Sequence, residues 1–242
     1  MKNYLVLFIA LLLITSCGKK EIAALTSVND ALSTKNEELT ALVETSESAE
    51  KECTASLQKM KRELKISKQT TEKVDFIIKQ LVGVKAMIET TMGQIEVEFY
   101  PEIAPIHCFN FITRAESGYF NGTQFHRVLP GFMIQGGDPN SRDDDFSDDG
   151  RGTPIVSIPH EFNSKDHIRG VLSMARVSNP RMGAGSQFFI MHKHSPHLNN
   201  KYTVFGKVVN GLDVVDKIVM VERDRRDHPL SAVRISSIRV YR

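Results

Sequence analysis

The sequence predicts a mainly β domain preceded by one long α-helix, and two observations carry that reading. Between Lys19 and Val82 there is neither glycine nor proline, and Ala, Glu, Lys, Leu, Ser and Thr dominate, so nothing interrupts a helix. In residues 83–242 the pattern changes to short apolar runs separated by turn residues, with helical periodicity in only two places. Many short strands with two helices fit a closed barrel or a sandwich, and periodicity alone does not choose between them.

Composition narrows the class. The 242 residues suffice for one sizeable domain with appendages. A net charge of +2 is close to balance, and no basic block is interleaved with aromatics, so nothing points to nucleic acid. Three cysteines are too few for a disulfide framework.

Residues 1–17 begin with the basic start Met1-Lys2-Asn3, continue with an apolar run over 4–14 and end on Thr15-Ser16-Cys17. The run is about half the ~20 residues a membrane-crossing helix needs, and its flanks match an export signal. Ile14-Thr15-Ser16-Cys17 resembles the lipobox of bacterial lipoprotein signal peptides, with Ile14 where that motif prefers Leu. The resemblance implies cleavage before Cys17, its lipidation and a membrane anchor there. The alternative is an ordinary secretory signal with a chance cysteine. The expected division is a signal peptide over 1–17, a helical stalk over 18–82 and a β-rich domain over 83–242.

The stalk carries a heptad pattern. With Ile22 at position a, the a sites are Asn29, Asn36, Val43, Glu50, Leu57, Leu64, Thr71 and Ile78, and the d sites Leu25, Leu32, Leu39, Ser46, Cys53, Met60, Ser67, Val74 and Leu81. Twelve of these eighteen seam positions are apolar and one frame holds throughout, which predicts a coiled coil and hence a homodimer or trimer. At ~1.5 Å per residue the rod is roughly 90 Å long. Asn29 and Asn36 at consecutive a sites fix register and favour two strands. The acidic stretch 30–52 and basic stretch 59–73 favour antiparallel pairing, whereas an anchor at each Cys17 favours parallel. A solitary charged helix is the competing reading. Cys53 at a d site reads as a small apolar filler or an interchain disulfide partner.

Within 83–242, residues 84–91 and 94–99 flanking Met92-Gly93 read as a hairpin. Residues 106–115 form an amphipathic helix with Pro105 near its start, enclosing Cys108 as a buried, inert thiol. Strand patterns recur over 170–176, 202–208 and 233–241, a glycine-rich turn runs into another strand over 183–191, and a helical pattern covers 212–220. The Asp-rich stretch 138–150 lacks the spacing of a calcium loop and reads as a solvated surface loop. His192, His194 and His197 lack a second ligand cluster, so no metal and no cofactor is expected. In residues 125–138 one cation, Arg127, and one amide, Gln135, stand among large apolar residues, the mixture of a small apolar pocket with a few fixed polar groups; the alternative is a plain core strand of Phe125, Val128, Leu129, Phe132 and Ile134 with Arg127 a solvated charge.

Phe-His-Arg-Val-Leu-Pro-Gly-Phe-Met-Ile-Gln-Gly-Gly-Asp at 125–138, Leu-Ser-Met-Ala at 172–175, Gly-Ser-Gln-Phe-Phe-Ile at 185–190 and Val-Phe-Gly-Lys-Val at 204–208 resemble the cyclophilin family of peptidyl-prolyl isomerases over residues 84–242. The resemblance implies a closed eight-stranded antiparallel barrel capped by two helices. It places Arg127 as the catalytic arginine, Phe132, Met133, Phe189 and Leu198 as the proline-pocket wall, Gln135 as the amide holding substrate backbone, and Ala175 and Gln187 in the groove. Three positions depart from common family residues: His197 for Trp, Tyr202 for His and Arg176 for Asn. His197 offers less apolar area than an indole, which puts strong cyclosporin binding in doubt.

The chemistry fits those residue types. Rotation about an X–Pro bond faces about 18–20 kcal/mol of amide resonance. A guanidinium donating to the pyramidal proline nitrogen in a dry pocket lowers that barrier, and needs no nucleophile. The whole chain thus reads as a lipid-anchored prolyl isomerase of the bacterial envelope acting on proline-containing unfolded or exported polypeptides. Two alternatives are a proline-peptide binding module or chaperone, and a structural envelope tether through the stalk.

Overall fold

The computed structural model describes residues 2–154, 156–177, 179 and 183–242, with side chains from Gly18 onward; Cys17 and the rest of the expected signal peptide lie outside the described side chains. The chain divides into two compact units, Met1–Lys68 and Gln69–Arg242. Helix α1 runs from Lys2 to Leu81 without a break, and its boundary with the next element is chemical: Gly83 adopts φ +77° and ends it. Among the described residues no helix is long and apolar enough to cross a membrane.

In the first unit the seam residues Ile22, Leu25, Leu32, Leu39, Val43, Leu57, Met60 and Leu64 are 50 to 69% exposed, so a single chain leaves the whole stripe in water. In the second unit the last seam residue behaves differently. Leu81 is buried, and Ile77 packs beside it, in the core of the unit itself.

The second unit is an antiparallel sheet with two helices packed on it. Its strands are β1 (Lys85–Thr90), β2 (Gly93–Phe99), β3 (Arg127–Leu129), β4 (Met133–Gly136), β5 (Val171–Arg176), β6 (Ala184–Met191), β7 (Thr203–Asn210) and β8 (Ile235–Tyr241). Helix α2 (Pro105–Glu116) starts on the proline expected near its first turn, and α3 (Leu212–Val219) precedes the last strand segment. The ladder order is β3-β4-β6-β5-β7-β2-β1-β8.

This corrects the expected closed barrel: the sheet curls but stays open along its β3 and β8 edges. Closure is confined to one corner, where Phe125 N donates to Val233 O at 2.9 Å and Ile235 N to Thr123 O at 2.7 Å. The rest of the β3 edge is taken by the loop 222–230, with Val128 N donating to Asp227 O at 2.9 Å. β3 is only three residues long, too short to meet β8 along its length.

Two clusters of apolar side chains lie on opposite faces of the strands. The larger core is centred on Phe111, whose ring packs 5.0 to 5.6 Å from those of Phe99, Phe120, Phe188 and Phe205. The smaller one gathers Met133, Val171, Phe189, Met191, Leu198 and Val204. Cys108 is buried in the larger core, its thiol donating to Phe205 O, and burial pushes it far above the ordinary thiol range. Cys53 is exposed.

The Asp-rich loop is only partly the solvated loop expected. Asp138 is fully buried and accepts from Asn140 N at 2.9 Å and Gly152 N at 3.2 Å. The carboxylate of Asp149 is also buried, 2.7 Å from His228 Nε2. Local backbone amides and one imidazole draw these two out of water, which the carboxylate count could not show.

Candidate active site

Strand alternation assembles the site. Side chains on successive strand residues face opposite ways, so Ile134, Phe188, Ile190, Leu172 and Met174 enter the larger core, while Met133, Phe189, Met191 and Val171 form the floor of the other face. Arg127 pairs across the ladder with Gln135, and Gln135 with Phe189. The cation, the amide and the aromatic ring are therefore neighbours on one face because of register, although they lie far apart in sequence.

They line a cavity of about 350 Å³. Of the residues the sequence singles out, Arg127, Phe132, Met133, Gln135, Ala175, Arg176, Phe189, Leu198 and Tyr202 border it. Gln187 borders an adjoining cavity of about 370 Å³ that shares Gln135, Ala175 and Arg176 with the first. His197 borders neither, and its exposed ring stacks on Phe132 at 5.7 Å. Phe132 is placed by the turn between β3 and β4, where Gly131 at φ +78° lets Phe132 N reach back to Leu129 O.

The polar groups are fixed by their neighbours. Gln135 Nε2 donates to Gln187 Oε1 at 2.9 Å, and Gln187 Nε2 donates to Gly152 O at 2.8 Å and Gly150 O at 3.1 Å. That chain orients the Gln135 amide and leaves it one N–H for a ligand carbonyl. Tyr202 meets Phe189 edge-on at 5.6 Å, and the Arg176 guanidinium lies 4.7 Å above the Tyr202 ring while donating to Lys201 O. Arg127 lies 3.7 Å from Asp227 through its Nε, and among the described residues its two terminal nitrogens donate no hydrogen bond.

Six lining residues were missed by sequence reasoning: His126, Phe146, Asp149, Gly150, Arg226 and His228. His126 is buried and both its ring nitrogens lack a partner among the described residues; burial pushes it down to about 4, with Asp138 opposing. His228 faces acceptors on both sides, Asp149 Oδ2 and, at 2.8 Å, Pro229 O, and Phe146 stacks on it at 4.3 Å. Burial pushes the Asp149 carboxyl above its ordinary range, against the bond from His228. His126 lies inside the stretch 125–138, and Phe146, Asp149 and Gly150 lie inside the Asp-rich stretch read as a solvated loop; Arg226 and His228 come from a loop without periodicity.

An apolar floor of Met133, Phe189 and Leu198 with a guanidinium and a clamped amide side by side on neighbouring strands fits a ligand with a compact apolar ring and a flanking peptide carbonyl. That arrangement describes a peptide-binding β-domain with a cationic group held over its pocket. Comparison makes the class specific. The model of the family described as cyclophilin type peptidyl-prolyl cis-trans isomerase/CLD matches residues 85–240, and the chain belongs to that family.

Among its relatives, a peptidyl-prolyl cis-trans isomerase-like 1 of Neurospora crassa is 40% identical over 161 residues, covering 64% of this chain and 93% of the relative. A peptidyl-prolyl cis-trans isomerase-like 2 of Gibberella zeae is 42% identical over 158 residues, covering 63% of this chain. The chain spans only 26% of that longer relative. A Cryptosporidium parvum cyclophilin crystallised in the presence of the dipeptide Ala-Pro is 31% identical, with a TM-score of 0.60, and covers 65% of this chain and 99% of its own.

Proposed function

We propose that residues 83–242 catalyse cis–trans isomerisation of X–Pro bonds in polypeptides. The observation that carries this reading is Arg127 beside the apolar floor, its terminal N–H groups uncommitted among the described residues and its side chain bordering the same cavity as Gln135. The ring of proline seats on Met133, Phe189 and Leu198, Phe132 closes one side, and Gln135 holds the flanking carbonyl. As the C–N bond rotates, the nitrogen loses amide conjugation and gains a lone pair. Arg127 donates to that lone pair more strongly than to the planar amide, which lowers the barrier selectively. Ala175, Arg176, Gln187 and Tyr202 border the groove for neighbouring peptide residues, and His197 backs Phe132.

In a protease-free isomerisation assay Arg127→Ala loses about 10²–10³ in rate, by analogy with removal of one donor aimed at developing charge. An Arg127→Ala protein as active as the wild type would refute the assignment.

The finer reading rests on the first 82 residues. Export and lipidation at Cys17 would tether the enzyme to a bacterial membrane outside the cytoplasm, with unfolded or exported proline-containing polypeptides as clients; the signal-like 1–17 supports this. The exposed seam supports pairing of stalks into a dimer or trimer, since a stripe of that size is otherwise left in water.

A further inference from the structure

We infer that Asp227 is a positioning residue for Arg127, a role that rests on the isomerase reading above. The carboxylate stands between two guanidinium groups, with Oδ2 3.7 Å from Arg127 Nε and Oδ1 3.7 Å from Arg223 Nε. An arginine side chain carries about 2 kcal/mol of rotamer entropy, but its guanidinium is planar. An ion-pair attraction on Nε therefore biases the orientation of both terminal nitrogens, which are without a partner among the described residues, on a side chain that borders the cavity.

The backbone that carries the carboxylate is held against β3. Asp227 O accepts from Val128 N, the residue after Arg127, and Asp227 N donates to Asp224 O at 3.2 Å. Around it the loop is tied internally: Asp224 N donates to His228 O, His228 N to Asp224 Oδ1, and Leu230 N to Glu222 O, all at 2.8 to 2.9 Å. Asp227 has φ +68°, a left-handed backbone that Asp and Asn adopt more readily than other non-glycine residues and that concentrates at functional positions. The open β3 edge makes the arrangement possible, because the loop occupies the place where a barrel strand would run.

The side chains of Arg127 and Asp227 are 42% and 31% exposed, so the pair contributes little to stability and its effect is on orientation. Arg223 stands 3.7 Å from the other oxygen of the same carboxylate, so the two guanidinium groups share it.

The test uses the full chain with Asp227→Asn, which keeps shape and tolerates the left-handed backbone, and Asp227→Gly, which keeps only the backbone freedom. Both are expected to lower kcat about tenfold, the scale of a partial misplacement of a reacting group, with affinity for an X–Pro peptide within twofold of wild type. The Arg127 Nε–H resonance, followed by 15N NMR, should move and exchange faster with water in both. Added to Arg127→Ala, Asp227→Asn should cost nothing more. A wild-type kcat in both variants, an unmoved Nε–H resonance, or a further tenfold loss in the Arg127→Ala background would each overturn the inference. So would a loss of folding in Asp227→Asn that Asp227→Gly shares, since it would show a structural role. An inactive wild type would instead overturn the isomerase reading, and an active wild type with an inert Asp227 would leave that reading standing.

Discussion

His126 should make the catalytic unit sensitive to mild acid. It is 5% exposed, both ring nitrogens lack a partner among the described residues, and burial pushes its pKa from 6.5 down to about 4. The unfolded chain therefore takes up a proton at this side chain before the folded one does. The stability it confers is fully present above about pH 6.5, declines as pH falls, and levels off below about pH 4. That lowering of the pKa amounts to a few kcal/mol, since one pH unit is worth about 1.4 kcal/mol. The measurement is urea unfolding between pH 8 and 4 on the wild type and on His126→Leu, which replaces the imidazole with a group that does not titrate. The difference between the two curves removes Asp149 and His167, which are buried in both proteins, and reports His126 together with Asp138 and His228, whose charges act on it. Wild-type stability should fall relative to the variant by a few kcal/mol across that window. Parallel curves would show that the imidazole is hydrated or partnered, and would refute the argument.

Three further outcomes follow from the same contacts. Gln187→Ala removes the group that orients Gln135 and should lower kcat/KM about five- to tenfold, the worth of one neutral hydrogen bond, in a peptide isomerisation assay. Gly137→Ala would put a Cβ 2.6 Å from Ser186 O and 2.9 Å from Phe188 Cδ1 at φ +82°, and should cost about 2–4 kcal/mol by urea unfolding. A protein beginning at Gly18 should sediment as a dimer or trimer, and Leu32→Lys with Leu39→Lys should convert it to a monomer; a monomeric parent would contradict the stalk pairing.

Much of the pocket was legible because its residues are close in sequence or repeat with period two. Met133 and Gln135 alternate with Ile134 in one short run, and Phe189 alternates with Phe188 and Ile190 in another, so each run announces one face toward the core and one toward a ligand. Which runs would be neighbours came only from family resemblance, since cross-strand register is not written in any one strand. The open edge was illegible for a related reason. It depends on how far three residues of β3 can follow β8, and on a loop that competes for Val128. The Asp149–His228 pair joins positions 79 apart through two aperiodic loops; the carboxylate density around Asp149 read as solvation, and nothing local pairs it with His228. In the stalk, one heptad frame ran unbroken through Leu81, yet that residue packs into its own domain while Leu57 and Leu64 stay in water. A seam position records that a side chain is apolar and leaves its partner unstated.

The central claim is that Arg127 stabilises the rotating bond and contributes little to holding the peptide. Exchange NMR on an X–Pro peptide, with no protease present, measures cis–trans interconversion and binding in the same sample. The full chain should accelerate exchange, and Arg127→Ala should lose about 10²–10³ of that acceleration while its peptide affinity stays within a few-fold of wild type. Equal acceleration by both proteins, or a loss of exchange matched by an equal loss of binding, would contradict the account.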